Sequence, residues 1–475
     1  MKKNRFTQSY LCILVTIFSL IGCDAGSKNN NEIILNVGDK IQLLNDVYID
    51  NENIFFDGFD NGVNKDNWYI GNGAWGSGNG GVVPDNVLYS EKGEVILRGN
   101  GMFYSSNQIK GVGALKDGKN TGAALISKTT FGPGRYETRM KPLPRQGACS
   151  AFWTFNNRVV EGQENENHEI DIELPGGKES GIISFKNILN TNYVTESYYQ
   201  SQDNKVVIDN TEICLNDGNY HVFGFDWYTN PEKIVYYVDG IITAISDSFV
   251  PTSSTRLWIG NWFPNNTSFV GGSNFETDYM YIDYIKYLPF DETQTYEKCD
   301  VNISINLAND NQYPSSPSSV NEINKIANGD FEYALNNNLT DYGWNFKKKN
   351  SETKDLNEVT YIDKNDGYIS YCSATIKDGG YLETSIDSVY EGFKYKFNFY
   401  AKSTVSDSKV RINFVPQGSS TYLSTLLVDV AQSDDYQLYT YEFVAPQGTY
   451  SLDINFVNMS NNGEFHIDDV ELIKL

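Results

Sequence analysis

Histidine is scarce in this chain, three in 475 residues, and none stands in a metal-ligand spacing. That argues against a catalytic zinc centre, and no metal-ligating residues are assigned. Basic residues are also few: 37 Lys and Arg face 61 Asp and Glu, for a formal charge of −24. A phosphate backbone is bound by a basic surface, so a nucleic-acid partner is not expected, whereas a neutral or weakly charged ligand fits. Cysteine is sparse and scattered, six in all with no C-x-x-C pair. Cys12 and Cys23 fall near the N-terminus, and Cys149, Cys214, Cys299 and Cys372 are far apart. A metal cluster is therefore not expected, and no disulfide pairing follows from the spacing. Cys149, in the apolar run GACSAFWTF, reads as a small buried thiol. Long amphipathic helical patterns are scarce too. What is abundant is Tyr (33), Phe (26) and Gly (40), with 13 Pro, the composition of a β-rich protein with many turns.

The chain starts MKKNRFTQSYLCILVTIFSLIGCDAGSKNNN. Lys2, Lys3 and Arg5 precede an apolar run through Ile21 that is shorter than the ~20 residues of a spanning helix and has the layout of a secretion signal. Its end, Leu20-Ile21-Gly22-Cys23, resembles the bacterial lipobox. That resemblance implies removal of residues 1–22, lipidation of Cys23, and a protein anchored to a membrane of the bacterial cell envelope through a tether over 23–45.

From about 46 to 292 short alternating segments follow one another, divided by Gly, Pro, Asn and Asp turns. Among them IVYYVDGIITAI carries Asp239-Gly240 between two apolar runs, a strong hairpin signal. Many antiparallel strands without helices predict an all-β fold of two sheets packed face to face. Residues 293–322 turn polar and contain YPSSPSS, which reads as a linker. Strand patterns resume from about 323 to 475, predicting a second, smaller β-sandwich.

The segment ENHEIDIELPGG places Glu169, Asp171 and Glu173 at alternate positions, with Ile170 and Ile172 between them. In a strand all three carboxylates share one face and the isoleucines the other. An ordinary solvated face would intersperse opposite charge, because clustered like charges repel. At ~3.3 Å rise per residue the end glutamates have Cα atoms about 13 Å apart. Side chains leaning together leave roughly 5 Å between carboxyls, inside the ~5–5.5 Å window of a retaining glycosidase. Asp171 between them is placed to hydrogen-bond one Glu, and its charge is expected to help keep the acid protonated. Spacing alone does not say which Glu attacks.

EIDIE in this setting, with FGPGRYETRMKPLPRQGACSAFWTF before it and YHVFGFDW and YYVDG after it, resembles glycoside hydrolase family 16 over about 50–290. That resemblance implies a concave β-jelly roll and a retaining endo-β-glycosidase acting on a polysaccharide. It implies Glu169 as nucleophile, Asp171 as helper and Glu173 as acid/base, without a cofactor. It also implies substrate contacts at Trp153, Glu137, Arg139, Asn261 and Trp262. For Trp153 a place in the core, and for Glu137 and Arg139 a buried ion pair, are the plainer alternatives. Phe155 shares the strand face of Trp153, and His168 falls on the face opposite the carboxylates, so it reads as structural. The unbulged E-x-D-x-E form points by resemblance to mixed-linkage β-glucanases and xyloglucan-active enzymes. Two departures, ELPGG in place of EFLG and the Gly-rich loop NGAWGSGNGGVVPDN, leave a galactan, a host glycan or another β-glucan open. A transglycosylase on the same residues and a glycan-binding protein without turnover are the rival functions.

IANGDFEYALNNNLTDYGWNF and the closing FHIDDVELIKL resemble family 4-like carbohydrate-binding modules. The terminal location of Asp330, Glu332 and Asp468 suits either a structural calcium or the capping of turns. Trp344 suits either a core or a sugar platform.

Overall fold

In the computed structural model the alternating segments pair as antiparallel strands, and the structure describes residues 33–475 apart from 107, 159–165, 177–181, 192–193, 204, 209, 292–295, 299, 321–322, 333–342, 417–418 and 460–461. The expected all-β architecture, a jelly-roll sandwich followed by a smaller β-sandwich, is what the chain adopts. The signal segment, Cys12, Cys23 and Cys299 lie outside the described residues.

One sheet of the first sandwich runs, neighbour to neighbour, through Trp68–Ile70, Thr121–Phe131, Thr255–Trp262, Cys149–Arg158, Glu166–Pro175, Ile182–Thr191 and Val194–Asp203. We call this the cleft sheet. The opposed sheet runs through Val95–Asn100, Thr277–Asp291, Gly134–Lys141, His221–Thr229, Glu232–Val238 and Ile241–Ser246. Alternation sends one set of side chains from each sheet into a shared core: Phe152, Ile170, Ile172, Phe185, Leu257 and Ile259 from the first, and Tyr136, Met140, Phe225, Trp227, Tyr236 and Ile282 from the second. The expected hairpin forms at Asp239-Gly240, where both residues have positive φ, 48° and 80°. Such a pair of left-handed residues matches the twist of the flanking strands.

In the opposed sheet Asp226 and Arg135 stand in register and form two hydrogen bonds, Arg135 Nε to Oδ1 at 2.6 Å and Nη2 to Oδ2 at 2.7 Å. Tyr228 donates a third bond to the same carboxylate at 2.8 Å.

The tether read over 23–45 is docked along its later part: Gly38 N–H donates to the Ile242 carbonyl and Ile41 N–H to the Gly240 carbonyl, both at 2.8 Å. Residues 293–322, read as linker from their polarity, are likewise held to the first sandwich at 297, 301 and 307. Glu297 pairs with Ser253, Val301 is buried, and Leu307 pairs with Gly71.

The second sandwich packs two five-stranded sheets around Phe397, Phe399, Ile454, Phe456, Phe465 and Trp344. Trp344 is buried, and its indole N–H donates to the Ala327 and Asn328 carbonyls at 3.1 Å, so it is a core residue and no sugar platform. Glu332 accepts the N–H groups of Tyr371 and Cys372, and Asp468 those of Tyr368 and Asp469. Asp330 accepts the Glu332 N–H at 3.4 Å. These carboxylates are spent on backbone donors as turn caps, and among the described residues no group of three His, Cys, Asp or Glu is arranged to hold a metal.

The two sandwiches touch at Arg145, whose buried guanidinium reaches Asp387 at 2.8 Å and Asp278 at 3.6 Å. Ser388 caps the Pro144 carbonyl beside it at 2.7 Å.

Candidate active site

Strand alternation builds the site. On the acidic strand Glu166–Pro175, Ile170 and Ile172 are fully buried in the core between the sheets, which forces Glu169, Asp171 and Glu173 onto the outer face of the cleft sheet. His168 follows the isoleucines inward, where its Nδ1 meets the Ser253 hydroxyl at 2.6 Å.

Register then fixes the neighbours. Glu169, Asp171 and Glu173 face Phe155, Trp153 and Ala151 on one side, and Ile188, Lys186 and Ser184 on the other. One strand further, Trp153 faces Trp258, and Cys149 faces Trp262. Trp75, from the Gly-rich loop, covers the group: its ring centroid lies 5.6 Å from that of Trp262 and 6.2 Å from those of Trp153 and Trp258. A cavity of about 250 Å³ results, lined by the three carboxylates, Ala151, Phe155, four tryptophans (75, 153, 258 and 262) and Ser304. Hollows of about 650 and 540 Å³ also exist in the protein, but neither joins paired carboxylates to aromatic faces. Flat apolar walls with a few convergent polar groups are what a sugar ring needs.

Of the expected site residues the structure gathers Glu169, Asp171, Glu173, Trp153 and Trp262 around this cavity. Three others are corrected. Glu137 and Arg139 lie on Gly134–Lys141 in the opposed sheet, on the side away from the core residues Tyr136 and Met140. Glu137 is held there by Lys286 at 2.6 Å and Tyr284 at 2.8 Å, and Arg139 by Asp283 at 2.6 Å. The thickness of the sandwich thus separates both from the cleft. Asn261 alternates inward from Trp262, is fully buried, and donates to the Leu97 carbonyl at 3.1 Å, so it ties the two sheets together. Trp75, Trp258 and Lys186 are site residues that the sequence reading passed over. Trp258 was within reach, since it shares strand parity with Trp262; Trp75 and Lys186 needed the loop path and the strand register.

Burial with like charge nearby sets the electrostatics. Burial pushes Glu173 up from an ordinary 4.5 to about 7, with the Glu169 charge adding to the rise and Lys186 opposing it. Glu169 is also raised by burial, against the pull of Lys186 and of hydrogen bonds from Asp171 and Asn167. Asp171 goes furthest, because it is buried with a carboxylate on either side. Asp171 hydrogen-bonds Glu169, and the Glu169 charge adds to the rise of Glu173. The cavity thus holds a carboxyl, Glu173, pushed up to about 7, four residues from a second, Glu169, steadied by a hydrogen bond from Asp171.

A pH effect on stability follows. Because the folded value of Glu173 lies above its ordinary one, its contribution to stability is full below pH 4.5 and is lost as pH rises through about 7. Replacing it by the uncharged isostere, Glu173→Gln, should therefore raise the melting temperature at pH 8 relative to wild type by several degrees, a gain on the order of 3 kcal/mol, and leave it unchanged at pH 4. Thermal melts at the two pH values check this.

Comparison with known proteins bears on the same stretch. Residues 90–285 match the model of glycosyl hydrolases family 16. The chain is 28% identical over 242 residues to a beta-glucanase of Bacillus subtilis (strain 168), spanning 49% of this chain and 85% of that one. It is 30% identical over 166 residues to a beta-glucanase of Bacillus amyloliquefaciens, spanning 34% of this chain and 61% of that one. Among solved structures, a prokaryotic beta-1,3-1,4-glucanase (lichenase) derived from a mouse hindgut metagenome aligns with 50% of this chain and 99% of its own length, at 21% identity and a TM-score of 0.38. Over residues 90–285 the chain is thus similar to the family 16 glycosyl hydrolases, and it is a glycoside hydrolase.

Proposed function

We propose that the protein is a retaining endo-β-glycosidase acting on a β-linked polysaccharide, with a mixed-linkage β-glucan as the favoured substrate. The observation that carries this reading is the gathering of Glu169 and Glu173, four residues apart on one strand face, in a tryptophan-walled cavity. The beta-glucanase relatives support the choice of polymer.

In this reading Glu169 attacks the anomeric carbon while Glu173 gives its proton to the departing glycosidic oxygen. The covalent glycosyl-enzyme is then opened by water, whose proton returns to Glu173, and configuration is retained overall. Asp171 orients Glu169 through their hydrogen bond. Trp153, Trp262 and Trp75 offer faces to the sugar rings. Because Glu173 titrates at about 7, turnover should fall tenfold per pH unit on the alkaline side of neutrality. A kcat/KM profile flat to pH 9 would reject its role as acid.

The lipobox-like Leu20-Ile21-Gly22-Cys23 supports a place for the enzyme on the cell envelope, anchored at Cys23. The second sandwich is proposed as a carbohydrate-binding module on the strength of its terminal motifs.

Barley β-glucan, laminarin, xyloglucan, agarose and mucin glycans, each incubated with the enzyme, test the reading by product size and by the anomer first formed. Barley β-glucan should be cut to short oligosaccharides of retained configuration. Inverted products, or no release of reducing ends from any of the five, would overturn it.

A further inference from the structure

Residues 301–307 read VNISINL, an alternation of apolar and polar side chains inside a segment that is otherwise polar. The alternation is realised in space. Val301 is buried, while Ile303, Ile305 and Leu307 lie partly buried against a floor of Trp153, Trp258, Ile126 and Ala151. The polar residues between them are exposed, and Ser304 also lines the cavity.

The strap is built in. Arg256 Nε donates to the Val301 carbonyl at 3.0 Å. Asn72 N–H donates to the Asn306 carbonyl and Ala308 N–H to the Ile70 carbonyl, both at 2.8 Å. Gly71 and Gly73 make the approach feasible: a Cβ at Gly73 would stand 2.8 Å from Ile305 Cβ, and one at Gly71 3.1 Å from Ile305 Cδ1. Further along, Lys65 Nζ reaches the Asp310 carbonyl at 2.9 Å, and Tyr313 donates to the Trp68 carbonyl at 2.8 Å. Beneath the strap Trp153 and Trp258 keep only 8% and 3% of their surface exposed. The other flank differs. On the same face, beyond Lys186, Tyr199 is 53% exposed.

We propose that residues 301–307 are a fixed wall ending the sugar-binding cleft on its tryptophan side, and that this wall determines specificity. The cavity it leaves, about 250 Å³, lies below the range of ~300–1,000 Å³ typical of ligand pockets, and gives room for roughly one to two pyranose rings. A bound chain therefore has to end, or bend out of the cleft, within about two rings of the scissile bond on this side. A straight, extended chain is refused, and binding continues along the Lys186–Tyr199 flank. Trp258 is the specific contact of the closed arm. Its indole N–H is buried without a hydrogen-bond partner among the described residues, and a sugar hydroxyl in the cavity supplies an acceptor.

This inference rests on the glycosidase reading of the site, and the experiment separates the two. End-labelled β-glucan oligosaccharides of increasing length are cleaved, and the frequency of cut at each bond is compared between wild type, a strap-opened variant (Ile303→Gly with Ile305→Gly) and a strap-thickened one (Ser304→Trp). Wild type should gain nothing in kcat/KM from sugars added beyond the second ring on the walled side, and should gain from sugars added on the other. Opening the strap should move the cut sites and raise kcat/KM for substrates with a third ring on the walled side by about tenfold. Thickening it should lower kcat/KM for two-ring occupancy more than for one-ring occupancy. If the opened variant does not fold, judged by circular dichroism, the thickened variant decides alone. Unchanged cut sites in every folded variant, with activity present, overturn the wall. Absence of cleavage by wild type overturns the glycosidase reading instead.

Discussion

Glu169→Ala and Glu173→Ala should each lower kcat on the best polysaccharide by about 10³- to 10⁵-fold, with the β-sheet spectrum and ligand binding retained. The two losses differ in kind. Without Glu173 the first step lacks its proton donor, so a substrate whose leaving group needs no proton, such as a dinitrophenyl glycoside, should recover most of its rate of glycosylation. Without Glu169 there is no covalent intermediate, and no leaving group repairs that. Azide makes the distinction chemical. In Glu173→Ala it intercepts the glycosyl-enzyme and gives a glycosyl azide of retained configuration. In Glu169→Ala it enters from the vacated face and gives the inverted one. Both carboxyls line one cavity with Asp171 between them, so the two variants cannot be mistaken for a general loss of structure if the azide products are opposite anomers. Full turnover in either variant, or the same anomer from both, would sink the assignment.

Asp226→Ala should destabilise the first sandwich by roughly 3–5 kcal/mol, the cost of leaving a partly buried guanidinium without its partner. The pair lies in the opposed sheet, where Asp226 has no exposed side-chain surface and Arg135 has 17%. Burial drives the Asp226 carboxyl upward against the pull of Arg135, so the pair holds by its two short hydrogen bonds and that of Tyr228 rather than by surplus attraction. The melting transition of the variant should fall by roughly 10 °C for a domain of this size. The double replacement Arg135→Met with Asp226→Leu restores an apolar, unpaired-charge-free interior and should recover most of the loss. A single variant melting within about 2 °C of wild type would show that the sandwich does not depend on this pair.

Much of the site was legible because a strand has a period of two. Three carboxylates at alternate positions must share a face wherever the strand goes, and Ile170 and Ile172 say which face is turned away from the core. Trp153 and Trp262 obeyed the same parity. Glu137 and Arg139 also alternate correctly, but parity says only that two residues share a face. It does not say to which of two sheets a strand belongs, and Gly134–Lys141 pairs into the other one. Asn261 failed through parity itself, since its neighbour Trp262 was placed in the cleft and two adjacent strand residues cannot both point there.

The sequence by itself determined the all-β class, the shared face of Glu169, Asp171 and Glu173, and the Asp239-Gly240 hairpin, because each depends on contacts a few residues apart. Tertiary structure alone decided the rest. It set Lys186 beside Asp171, brought Trp75 from a distant loop over Trp153 and Trp258, and pushed the Asp171 carboxyl upward through burial between two other carboxyls. It also docked residues 301–307 against Trp153 and Trp258, since VNISINL carries the alternation of a strand but nothing in its own chemistry names the surface that receives it. Strand pairing, charge desolvation and the choice of a docking face are properties of residues far apart in the chain, and they exist only once the sheets have closed.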